Sequence, residues 1–292
     1  MLTEPIHIGV IGGSGLYQMD GLDLEDIHEI RVTTPFGDPS DALIAGNIAG
    51  VPVVFLPRHG RGHVHTPSEV PYRANIYALK QLGVEKIISV SACGSLREHL
   101  HPGAVVVPDQ VFDFTKNRPS SFFGEGLVAH ISVAEPFCPA LSTLLADAVA
   151  EAGGSVHRGG TLITIEGPRF STKGESLVYR QWGMDIIGMT ACPEAFLARE
   201  AGICYATMAH ITDYDVWHAS EEAVTVEMVI QVLNKNVGLA QQAIRRLVPR
   251  LATTDTDCHC AQALETALIT ARDRVPATTR EKLRLLGEPY LA

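Results

Sequence analysis

Nothing in this chain of 292 residues reads as a membrane span. The best apolar stretch, residues 49–57, is far short of the roughly 20 residues a spanning helix needs. The opening MLTEPIHIG carries Glu4 and lacks a basic cluster ahead of an apolar one, so it does not read as a signal peptide, and the expected location is the cytoplasm. Positive charge is scarce: 23 Lys plus Arg stand against 33 Asp plus Glu, a formal net charge of −10. That balance argues against a broad nucleic-acid or anionic-membrane surface and confines any bound phosphate to a local pocket. Internal repeats and low-complexity tracts do not occur. Six cysteines are too few for a disulfide scaffold. Cys258-His259-Cys260 is unusual, but no second CxC or CxxC completes a zinc tetrahedron, so the residues alone favour free buried thiols and no metal.

What is present is a globular composition, 46% apolar and 19% charged, on a chain long enough for a large core. Residues 6–11 form an apolar run that meets Gly12-Gly13-Ser14-Gly15, a strand entering a glycine turn. Residues 42–48 and 51–56 predict a hairpin around Ala49-Gly50. Helices are predicted over 71–82, from Pro139 to about 152, from the Thr172/Glu175 capping box to Trp182, and over 194–201. Further strands are expected at 86–90, 104–107, 161–165, 185–188 and 203–208. A long amphipathic helix carrying Val226, Val229, Ile230, Leu233, Val237, Ala240, Ile244 and Leu247 on one face is expected to stop near Pro249. The alternation of strands and helices predicts an α/β fold, and the hairpin predicts a mixed sheet.

Several short motifs carry chemistry. The GGSG turn exposes backbone N–H groups and the Ser14 hydroxyl to an anion, yet it matches neither GxGxxG nor a P-loop. In Arg58-His59-Gly60-Arg61-Gly62-His63-Val64-His65, two Arg and three His among small residues suit an oxyanion. The rivals there are a solvated loop and a histidine metal site, the latter without a carboxylate or cysteine inside the cluster. Ser91-Ala92-Cys93-Gly94-Ser95 and Met189-Thr190 each follow a strand, where α/β sheets place ligands. Asp213-Tyr214-Asp215 places two carboxylates two residues apart. In extended chain both face one way, and mutual repulsion with burial keeps one protonated as a general acid. A turn pair capping the following helix is the plainer reading of the same residues.

Ten segments in order, IGVIGGSGL, TPFGDPSDAL, RHGRGH, ANIYALKQLGV, SACGSLRE, AEPFCP, TIEGPRFST, GMTACPE, EAGICYA and TDYDVW, together resemble the methylthioadenosine phosphorylases of the trimeric purine nucleoside phosphorylase family. The resemblance implies a three-layer αβα fold with a twisted mixed sheet flanked by helices. It implies a phosphorylase domain over 1–252, with 253–292 a helical extension packed on it. A homotrimer, or a pair of trimers, with active sites near subunit interfaces is expected, with inorganic phosphate as co-substrate and no cofactor or metal. Carried over by position, Ser14, Arg58, His59, Ser91, Ala92 and Thr190 would hold phosphate. Met189 would lie under the ribose and Phe170 on the base. Asp213 would protonate purine N7 and Asp215 would accept from the 6-amino group. Ser171 and Val226 match specificity positions, and Val229 and Ile230, with His130 of a neighbouring subunit, would line the 5′-methylthio pocket. The implied reaction is phosphorolysis of methylthioadenosine. A 6-oxopurine phosphorylase, a water-using nucleosidase and a non-catalytic purine binder are the alternatives; oxopurine members usually carry Asn where Asp213 stands. Ser14 and Ser91 replace Thr of close relatives, and His210 stands where a smaller residue is expected. By analogy with CxC-bearing members, Cys138 would pair with Cys204, and Cys192 with Cys258 or Cys260.

Overall fold

The computed structural model describes residues 5–12, 22–218, 226–254 and 257–291, without the side chains at 226, 228–230 and 233–235. The expected Ser14 hydroxyl and the side chains of Val226, Val229 and Ile230 therefore lie outside the described residues.

A mixed sheet of eleven strands organises the molecule, with the path β2 (Glu25–Ile30), β3 (Leu43–Ile48), β4 (Val51–Pro57), β1 (Ile8–Gly12), β5 (Lys86–Ser95), β10 (Ile186–Gly188), β9 (Thr161–Ile165), β7 (Gln110–Phe114). A branch leaves β5 through β11 (Cys204–Asp213) to β6 (Val105–Val107) and β8 (Val156–Arg158). The hairpin forms as expected: Ile48 pairs with Val51, and Ala49 and Gly50 both take positive φ, the turn chemistry that matches strand twist.

Alternation along the central strands sorts the core onto two faces. Val54, Leu56, Ile87 and Tyr205 face one side, where α1 (Tyr72–Gln81) supplies Ile76 and Leu79 and α4 (Ala191–Glu200) supplies Ala195 and Leu197. Val53, Phe55, Ile88, Ala206 and Met208 face the other, under α2 (Pro139–Glu151) and α5 (Val226–Thr253), which bring Leu141, Leu145, Ile244 and Leu247. The three layers result from those two stripes.

Three expectations need correction. α5 does not stop at Pro249 but runs to Thr253. Pro249 forfeits the one bond its missing N–H would make, and the helix continues because Leu251, 2% exposed, anchors that end. β5 and β11 both outrun their apolar stretches, because they pair with each other as far as Gly94 and Asp213. α4 takes in Ala191–Pro193 ahead of the expected start, with Cys192 non-helical inside it. Past the polar break, α6 (Ala277–Lys282) and α7 (Arg284–Leu291) lie on the main body: Leu283, Leu286 and Leu291 join the same apolar cluster as Ile76 and Tyr77.

Candidate active site

β1 and β4 end level with each other, and β5 and β11 run past that level to Ser95 and Asp213. Gly12 of β1 is in register with Pro57 of β4 and with Val90 of β5, and Val90 with Met208 of β11. The residues just past those points are the ones the motifs singled out. Carboxyl ends of parallel strands are where open α/β sheets bind ligands. The Arg58 amide donates to the Gly12 carbonyl at 3.0 Å, which fixes the β4 exit against the end of β1.

Arg58 is 1% exposed, and its fork is largely committed inside the protein. Nε and Nη2 donate to Glu194 at 2.8 and 2.9 Å, Nη2 also to Ser89 Oγ at 2.7 Å, and Nη1 to the Val90 carbonyl at 3.2 Å. Burial alone would lower the guanidinium, and the Glu194 charge more than reverses it. Glu194 is equally buried and also accepts from the Tyr205 hydroxyl at 2.8 Å. Among the described residues these bonds occupy four of the five guanidinium N–H groups, leaving one for an incoming oxyanion. His59 donates from Nδ1 to the His65 carbonyl at 2.9 Å and stacks on His63 with centroids 4.2 Å apart. Burial, then the Arg58 charge, pushes it down to about 4, so the ring is neutral near pH 7. Ser91 and Ala92 are half-buried on β5. Thr190 is the residue before α4, and its hydroxyl makes no capping bond.

The two aspartates are joined by a backbone turn, not by strand alternation. β11 ends at Asp213, and Asp215 sits in a turn with φ of 50°. Its amide donates back to Asp213 Oδ1 at 2.7 Å, an Asx-type closure that fixes the turn against the first carboxylate. Asp213 is 8% exposed and Asp215 5%. Burial pushes both carboxyls up, and the Asp215 charge adds to the rise at Asp213. The Thr212 hydroxyl lies 2.6 Å from Asp213 Oδ2 and 3.3 Å from the Cys93 carbonyl. With its one proton on Asp213 Oδ2, Thr212 favours the carboxylate, as does the Asp215 amide, and burial outweighs both. Asp215 faces the buried hydroxyls of Ser171 and Ser176.

Several supports gain no role from the motifs, although Gly94, Glu194 and Trp217 stand inside segments quoted above. Gly94 pairs with Asp213, and a Cβ there would stand 2.9 Å from Asp213 Oδ1 and 3.0 Å from Ile187. Arg118 donates to the carbonyls of Met189, Cys192 and Glu166 at 2.6, 2.8 and 2.7 Å, tying the Met189 turn to the segment that leads to Phe170. Trp217 donates to the Ser95 carbonyl at 2.7 Å under the guanidinium of Arg180, 3.5 Å above its ring, which pins the acid turn to β5 and to α3 (Lys173–Gln181). Glu194 is legible in sequence only as a helix residue. Each of these partners is distant in sequence, and no local signal marks them. Phe170 is 36% exposed, and His130 lies on the surface with its amide on the Ala267 carbonyl. His210 is 1% exposed in β11, where burial lowers it to about 4.

The cysteine pairing expected by analogy is not the arrangement found. Cys192 packs near Thr164 and Arg118, whereas Cys138, Cys204, Cys258 and Cys260 gather together, and all six are without a disulfide. Distance along the chain hides this grouping, because Cys138 and Cys204 each stand alone in sequence.

With Arg58, Glu194 and the Asp213 turn gathered along the same parallel strands, the chain belongs to the Phosphorylase superfamily, whose signature matches residues 7–249. It is 55% identical over 287 residues to the S-methyl-5′-thioadenosine phosphorylase of Thermosynechococcus vestitus, covering 97% of this chain and 99% of that one. It is 56% identical over 284 residues to that of Chloroflexus aurantiacus, covering 97% and 98%. Among solved structures, a methylthioadenosine phosphorylase sourced from an antarctic soil metagenomic library superposes with a TM-score of 0.91 at 50% identity, covering 97% and 99%. The methylthioadenosine phosphorylase of Schistosoma mansoni in complex with adenine gives 0.82 at 37%, covering 97% and 98%.

Proposed function

We propose that the chain catalyses phosphorolysis of S-methyl-5′-thioadenosine to adenine and S-methyl-5-thio-α-D-ribose 1-phosphate, a pentosyl transfer serving methionine and purine salvage. The observation that carries this reading is the buried Asp213 carboxyl, pushed up by desolvation, at the end of β11, whose partner strand β5 supplies the Val90 carbonyl that Arg58 binds.

In this reading phosphate sits against Arg58, His59, Ser91, Ala92, Thr190 and Ser14. Neutral His59, its Nδ1 proton committed, presents an Nε2 lone pair that accepts from a monohydrogen phosphate. Breaking the N-glycosidic bond builds positive charge on the sugar, which the adjacent phosphate stabilises. Asp213 delivers its proton to N7 as negative charge gathers on the purine. Asp215 accepts from the 6-amino group, Ser171 sits beside it, Phe170 and Met189 cover base and ribose, and Val226, Val229, Ile230 and a neighbour's His130 surround the methylthio group. No cofactor is required. Residues 253–292 act as an extension of the one phosphorylase domain, and the enzyme works in the cytoplasm. A trimer is supported by the aromatic surface at the sheet edge, where Phe112, Phe114 and Trp182 are exposed.

Adenine release from methylthioadenosine, adenosine and inosine panels, with and without phosphate, is the test. Phosphate-dependent adenine release with methylthioadenosine preferred is expected. Release without phosphate indicates a nucleosidase, preference for inosine an oxopurine enzyme, and binding without turnover a purine-binding protein.

A further inference from the structure

Four cysteines from three parts of the chain converge beside the sheet, well apart in role from the phosphate cradle. Cys138 is the residue that caps the N-terminus of α2, Cys204 opens β11, and Cys258 and Cys260 come from the segment after the polar break. Their sulfurs all lie within 4.8 Å of one another, with Cys204 and Cys258 3.3 Å apart. A tetrahedral zinc with bonds of about 2.3 Å needs sulfur–sulfur edges of about 3.8 Å. The cage therefore has the dimensions of a four-thiolate site, and only small sulfur movements separate it from one. Cys138, Cys204 and Cys260 are buried, at 0%, 7% and 1% exposure, so the site is closed to a fourth-position water.

The surroundings fit the charge such a site would carry. Four thiolates on a divalent ion leave two negative charges, which need compensation when buried. Arg199 Nη1 donates to Cys260 Sγ at 3.0 Å, and the amide of Leu141 in the first turn of α2 faces Cys138 Sγ. A helix N-terminus and an arginine on opposite ligands are the outer-shell partners a sulfur-bound metal uses. Gly202 permits the approach: a Cβ there would stand 3.2 Å from the carbonyl of Ala261, the residue after Cys260.

We propose that Cys138, Cys204, Cys258 and Cys260 bind one structural zinc ion that fastens the C-terminal segment to the phosphorylase core. Binding exchanges each remaining S–H proton to solvent for a sulfur–zinc bond, with no change of oxidation state. The proposal does not depend on which nucleoside the enzyme cleaves.

The full chain, purified without chelator, is expected to carry about one zinc per chain by elemental analysis. After metal removal under reducing conditions, cobalt(II) should restore the visible absorption and thiolate charge-transfer bands of a tetrahedral sulfur site. Cys258→Ser with Cys260→Ser should abolish both signals, and Arg199→Gln should weaken zinc binding about 10–100-fold while keeping the stoichiometry. Cys192→Ser, outside the cage, should retain zinc. The assignment is overturned if wild-type protein incubated with excess zinc and desalted holds none and gives no cobalt bands. Disulfides among these four in alkylation mass spectrometry of freshly made protein, or iron in place of zinc, overturn it as well.

Discussion

The proposed reaction concentrates its chemistry in one side chain, Asp213. Its function requires the protonated form, and burial raises its carboxyl above the ordinary 3.8. The acid fraction falls as pH rises through that elevated value, so kcat/KM for methylthioadenosine should decline towards higher pH. Asp213→Asn should remove that limb and lower kcat/KM by about 10²–10⁴, with a smaller loss on inosine. Equal losses on both nucleosides would refute the protonation role. Gly94→Ala forces a methyl to 2.9 Å from the same carboxylate, so activity should fall at least tenfold, about 1.4 kcal/mol, while the folded far-ultraviolet spectrum persists. His210 bears on stability: its folded value of about 4 lies below the ordinary 6.5, so the folded state binds fewer protons. Its stabilising contribution is present above pH 6.5 and lost as pH falls towards 4, amounting to about 3 kcal/mol. Denaturant titrations at both pH values should show a smaller acid loss for His210→Gln than for the wild type.

At the scale of elements, the Arg58–Glu194 pair joins the end of β4 to α4. Glu194→Ala leaves a buried guanidinium without its counter-charge, and urea denaturation should report a loss of about 3–5 kcal/mol. Thr172→Ala removes one arm of an observed capping box on α3, costing about 1 kcal/mol by the same measurement. That box is legible in the sequence, along with the hairpin, α1, α2 and the apolar halves of β5 and β11, because each rests on local periodicity or turn chemistry. β2 escapes because EDIHEI is charged and faces solvent, held by pairing with β3 rather than by burial. β8 is three residues long, too short for any period. The polar end of β11, HITD, is wholly buried, and only its partner strand explains that. The candidate site divides the same way: the carboxylates and the Arg-His loop stand out in sequence, whereas Gly94, Arg118, Glu194 and Trp217 acquire meaning only from neighbours across the fold.

For the whole molecule, β7 ends the sheet path and carries Phe112 and Phe114, 39% and 38% exposed, beside Trp182 at 51%. Edge strands with apolar side chains invite association unless covered. Trp182→Glu combined with Phe114→Asp should shift the sedimentation of the proposed trimer to that of a single chain; unchanged sedimentation would move the interface elsewhere. Among the described residues no helix is long and apolar enough to cross a membrane.

The clamp of Glu194 on Arg58 has an effect beyond holding the fold. An arginine whose charge is already balanced from behind offers an arriving anion direction rather than brute attraction. In the proposed reaction, phosphate in such a pocket would keep most of its own negative field, free to act on the sugar as the bond to the base loosens. A bare cation in the same place would grip the anion harder and blunt it.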